Sequence, residues 1–93
     1  MSEDLEGAEA IDRMWTALRN AVPDTKERVA FALYWIDTWG THFNEGQTDG
    51  RVKWWQTHVH DDDVEHSTDD GLFVTRGRNR YRRMAEAAIA MAS

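Results

Sequence analysis

A helix over residues 25–41 would carry apolar side chains around more than half of its circumference, and this constrains the chain more than any other feature. At about 100° per residue, Val29, Ala32, Leu33, Ile36 and Phe43 fall on one side, and Phe31, Trp35, Trp39 and His42 form an adjacent stripe. A helix that packs against one neighbour needs a narrower stripe. This one must either lie between two layers or present its aromatic stripe to another chain. Phe31, Trp35, Trp39 and His42 are therefore the candidate self-association surface of a homodimer.

The flanking sequence supplies its neighbours. Leu5, Ala8, Ile11, Trp15, Leu18 and Val22 recur at spacings of three and four, so residues 3–21 read as an amphipathic helix with Ser2 as its N-cap. Pro23 ends it, and Asp24 or Thr25 can cap the second helix, which gives an antiparallel helical hairpin. Residues 51–59 (Arg-Val-Lys-Trp-Trp-Gln-Thr-His-Val) are rich in β-branched and aromatic residues and read as a strand. The alternative is a helix capped by Asp49 with Val52, Trp55 and Val59 on one face, which would make an all-α bundle. Residues 60–70 read as an acidic loop, residues 71–76 as the strand pairing with 51–59, and residues 79–92 as a last helix with Tyr81, Met84, Ala85, Ala88 and Met91 inward. The expected fold is a single α+β domain over residues 1–93: a helical hairpin, a small two-stranded β segment and a C-terminal helix.

Composition limits what such a fold can do. A chain of 93 residues with no cysteine has no disulfide framework and no thiolate chemistry. Its N-terminus is acidic, and no apolar run approaches the roughly 20 residues a bilayer needs, so the expected location is cytoplasmic, in the host cell if the protein is viral. No nucleophile elbow or phosphate-cradling glycine motif is present. A non-enzymatic protein without cofactors is expected.

The net charge of −6 hides a polarity. Residues 1–75 carry 6 basic and 16 acidic groups, whereas residues 76–93 carry 5 and 1. The basic end is concentrated in Arg76, Arg78, Arg80, Arg82 and Arg83, at the start of the last helix, where cations oppose the helix dipole. Either a phosphate backbone offsets that cost, making these residues a nucleic-acid site, or the upstream acids do. The acids Asp61, Asp62, Asp63, Asp69 and Asp70, together with one exposed member of the Trp54–Trp55 pair, form the candidate surface for a protein partner with a basic face. The acidic clusters give the chain a composition that resembles the DNA-mimic inhibitors phages use against restriction and CRISPR machinery, which implies an inhibitor of nucleic-acid-binding proteins.

A third reading uses metal. On a strand, His58 and His60 face one side, as paired ligands should. The run from His58 superficially resembles the His-x-His-x-Asp-His motif of metallo-β-lactamase-type hydrolases, but Asp63 stands where the last His belongs and the chain is too short for that fold. Aligned to a calcium loop, His66 replaces the turn glycine and Leu72 the bidentate carboxylate. His58 and His60 remain weak candidates for divalent metal.

Overall fold

A computed structural model describes residues 5–92 and shows an α+β fold of four helices with short antiparallel strand pairs. Helix α1 (Gly7–Ala21) and helix α2 (Thr25–Trp39) form the helical hairpin. The expected Ser2 cap lies outside the described residues. Helix α1 begins at Gly7 rather than near residue 3, because strand β1 (Leu5–Glu6) pairs with strand β2 (His42–Phe43) immediately before it. Gly7 makes the corner between strand and helix at φ +68°, a left-handed conformation that other residues rarely adopt, and its N–H donates to the Thr41 carbonyl at 3.0 Å.

Asp24 caps α2 by accepting from the Glu27 N–H at 2.9 Å, and Gly40 closes its other end with a bond to the Ile36 carbonyl. The Arg28 guanidinium reaches back to the Val22 and Pro23 carbonyls and lies over the Trp15 ring. This stiffens the three-residue connection between the helices.

Helix α2 is central, as its wide apolar coverage requires. It contacts α1 on one side and packs most extensively against helix α4 (Arg78–Ala92). Its aromatic stripe faces the middle of the protein: Phe31 and Trp35 are fully buried and Tyr34 nearly so, while Val29, Ala32, Leu33 and Ile36 are only half-covered. This corrects the assignment of Phe31 and Trp35 to self-association, since both are already enclosed by their own chain. Of that set, Trp39 is half-buried and His42 exposed.

Residues 51–59 are not a strand. Helix α3 spans Thr48–Thr57, with Asp49 in its first turn rather than at the cap. The reason is packing: the helix places Val52 and Trp55 on one face, Val59 follows just past its end, and all three are buried. Trp55 meets Phe31 at 5.6 Å, Tyr34 at 5.1 Å and Tyr81 at 6.2 Å between ring centroids. One aromatic cluster therefore joins α2, α3 and α4, and the gain from burying these rings outweighs the β preference of the local sequence. The hairpin instead pairs strand β3 (Val64–Thr68), inside the expected acidic loop, with strand β4 (Gly71–Thr75) across the two-residue turn Asp69-Asp70.

In α4 only Tyr81 and Ala85 are buried; Met84 and Met91, expected inward, are exposed. The Tyr81 hydroxyl donates to Asp37 at 2.6 Å, and burial together with that bond pushes its pKa up to about 12. A raised tyrosine pKa stabilises the fold fully below about pH 10 and ceases to do so as pH passes about 12. Denaturant midpoints measured across that interval should fall, and Tyr81→Phe should flatten the fall.

Candidate functional site

The basic and acidic clusters meet at the N-terminus of α4. The His60 carbonyl accepts from the Arg78 N–H and the Asp61 carbonyl from the Asn79 N–H, each at 2.8 Å. The Asp63 carboxylate accepts from the Gly77 N–H at 2.8 Å, and Asp62 accepts from the Asn79 side chain. Residues 60–63 thus satisfy the donors that a helix start leaves unpaired. The guanidinium groups follow the same geometry. Arg80 Nε donates to Asp63 at 3.0 Å, Arg78 Nη2 lies 2.9 Å from Asp61, and Arg82 bridges Asp61 and Glu27. Arg76 pairs with Asp37 at 3.3 Å. Arg83 alone of the five has no carboxylate within ion-pair distance among the described residues.

Of the two sources weighed for offsetting the misplaced cations, the chain supplies its own. The Arg80 guanidinium, helped by the Gly77 N–H, holds the Asp63 carboxyl down at about 2. Arg82 likewise lowers Glu27, which also accepts from the Trp55 indole at 3.1 Å. Gly77 is buried because the backbone of residues 61–62 passes directly over it, and a Cβ there would overlap Asp62.

This geometry changes the status of several candidate residues. Asp61 and Asp63 are paired with the α4 arginines and are not a free acidic surface, although the Asp61 side chain stays 58% exposed; Asp69 and Asp70 remain exposed at the hairpin tip. Trp55 is enclosed by the core and cannot meet a partner, whereas Trp54 is 47% exposed. The strand that would have aligned His58 and His60 is absent. His58 instead stacks on Trp54 at 4.4 Å and shares a hydrogen bond with the Thr57 hydroxyl. Among the described residues, no group of three His, Asp or Glu side chains is placed to hold a metal ion.

Two surface features were not anticipated. The first is the β3–β4 hairpin, in which every residue of β4 is exposed: Leu72 by 75%, Phe73 by 52% and Val74 by 49%. Leu72 and Val74 share one face of the strand, opposite Ser67 and Glu65, while Phe73 stacks on His66 at 4.6 Å on the other face. The second is a groove of about 370 Å³ lined by Tyr34, Thr38, Trp39, Gly50, Arg51 and Trp54. The only sequence sign of the first was the unbroken apolar run Leu72-Phe73-Val74, which reads equally well as core. For the second it was a lone arginine heading an apolar, aromatic stretch.

Comparison with protein-family models, curated proteins and solved structures finds no match to this chain. No helix among the described residues is long and apolar enough to cross a membrane.

Two changes test the helix-start clamp. Gly77→Ala forces the backbone of residues 61–62 aside, and overpacking of this kind costs about 1–3 kcal/mol; for a domain of this size that lowers Tm by roughly 4–8 °C per kcal/mol. Because the Asp63 pKa is depressed from 3.8 to about 2, its contribution is present above about pH 4 and lost as pH falls through about 2. Asp63→Asn should flatten the acid limb of the stability profile, followed by circular dichroism.

Proposed function

We propose that the protein is a non-enzymatic protein-binding module that engages its partner through the β3–β4 hairpin. The single observation that carries this reading is the exposure of Leu72, Phe73 and Val74 in succession on a strand that no helix covers. Contiguous apolar side chains left in water mark interaction surfaces, and an isolated two-stranded hairpin gains little stability of its own from them. Glu65 beside Leu72 and Val74, with Asp69 and Asp70 at the tip, gives the apolar patch an acidic rim. The partner that fits is a protein with an apolar cleft edged by basic residues.

Internal pairing of Arg76, Arg78, Arg80 and Arg82 weighs against the nucleic-acid reading, because these guanidinium groups already have carboxylate partners. The inhibitor or DNA-mimic form of the proposal loses Asp61 and Asp63. It rests on Asp69 and Asp70 and on the exposed acids of α1, Glu9 and Asp12. A homodimer, in turn, would use the open edge of β4 rather than Phe31 and Trp35.

The test is affinity capture from a lysate of the source cells with the wild-type protein and with Leu72→Ser/Val74→Ser. Both side chains lie outside the core, so the variant should keep its Tm within a few degrees. Loss of the captured protein with the variant, and weakening by roughly tenfold with Asp69→Lys/Asp70→Lys, are the expected results. Recovery of the same proteins at the same yield by all three would refute the reading. Sedimentation of the wild type alone tests the homodimer form.

A further inference from the structure

Arg51 occupies an uncommon position for a charged side chain. Its guanidinium lies over the rings of Trp35 and Trp39, 4.4 and 4.6 Å from their centroids. Its Nη1 is shut off from solvent and has no hydrogen-bond partner, and Arg51 forms no ion pair among the described residues. Burial depresses its pKa. The two indoles offset part of this cost by cation–π attraction, but a π face supplies no acceptor for the guanidinium N–H groups, of which arginine has five.

The same side chain lines the groove between α2 and α3. The other walls are the rings of Tyr34, Trp39 and Trp54, the Thr38 side chain and Gly50. No carboxylate lines it: Asp49, the acid next to Arg51, belongs to a separate depression beside α1. A volume of about 370 Å³ suits a small organic molecule. Three aromatic walls favour a flat apolar body, and the unpaired cation favours an anion while repelling the ammonium groups that aromatic cages otherwise bind.

We infer that the groove between α2 and α3 is a binding site for an aromatic carboxylate, whose ring lies among Tyr34, Trp39 and Trp54 and whose carboxylate pairs with the Arg51 N–H groups other than the enclosed Nη1. The inference does not rest on the hairpin's binding a protein, since none of the six lining residues belongs to β3 or β4. The carboxylate could belong to a small free acid or to the end of a peptide whose last residue is aromatic. Both present the same groups to the site.

The test is an NMR titration that follows the indole N–H signals of Trp39 and Trp54, assigned with Trp39→Phe and Trp54→Phe. Phenylacetate should shift both saturably with a Kd on the order of 1 mM, as befits a ligand of this size, and leave the Trp15 signal in place. Phenylacetamide, the neutral isostere, should bind at least tenfold more weakly, and inorganic phosphate should not shift both indoles. Arg51→Gln should weaken phenylacetate by about tenfold, with Arg51→Lys intermediate. A tripeptide ending in phenylalanine, free or amidated at its carboxyl, separates the two sources: tighter binding of the free form than of phenylacetate points to a chain end, and weaker binding points to a small acid. Equal affinity for phenylacetate and phenylacetamide, equal effects of phosphate on both indoles, or no saturable shift up to about 20 mM phenylacetate would each overturn the assignment. The comparison of acid with amide uses the wild-type protein, so it stands even where an Arg51 variant fails to fold.

Discussion

One carboxylate ties together the three helices around the aromatic core. Glu27, in the first turn of α2, accepts the Trp55 indole N–H from α3 and two N–H groups of Arg82 from α4. It is only partly exposed, so removing either donor would leave a half-buried charge under-satisfied, which costs more than the bond itself contributes. Around this point the rings of Phe31, Tyr34, Trp55 and Tyr81 pack edge to face or tilted, apart from Phe31 and Tyr34, which stack with centroids 6.4 Å apart; edge-to-face and offset-stacked rings are the arrangements their quadrupoles favour. The polar tie sets the register of the helices and the rings supply the buried area.

The charge polarity of the chain has a related explanation. An acidic body and a basic end could serve two separate ligands, but most of that polarity is used within the fold. Arg76, just before α4, pairs with Asp37, the arginines of α4 face Glu27, Asp61 and Asp63, and the backbone of residues 60–63 completes the helix start. Exposed ion pairs of this sort contribute little individually. Their effect here is to orient, with the capping bonds and the close passage over Gly77 fixing where α4 begins. Among the described residues, the exposed acids without an ion-pair partner include Asp69 and Asp70 at the hairpin tip and Glu9 and Asp12 on α1.

The helical part of the fold was legible because it depends on periodicity. Pro23, the Asp24 cap and the two-sided apolar coverage of residues 25–41 place α2 correctly between its neighbours. The segment 51–59 was misread because β propensity is local whereas the burial of Trp55 is decided by partners far away in sequence; the spacing of Val52, Trp55 and Val59 carried the right signal, and only the alternative reading used it. Strand β3 was hidden for the opposite reason, since Val-Glu-His-Ser-Thr buries almost nothing and pairs only because the Asp69-Asp70 turn brings β4 back alongside it. The acid–arginine pairing was visible as an option from proximity along the chain. The Arg51 groove was not, because its walls come from residues 34 to 54 and meet only when α3 is a helix.

The hairpin leaves the body at Asp63 and rejoins it at Gly77, and those two residues are hydrogen-bonded to each other. The excursion therefore begins and ends at one fastened point, and the closure entropy of the loop between is met by the clamp rather than by contacts along the arm. Residues 64–75 can accordingly change in length or in sequence with little penalty to the helices. A surface mounted this way can diverge quickly while the domain beneath it stays the same.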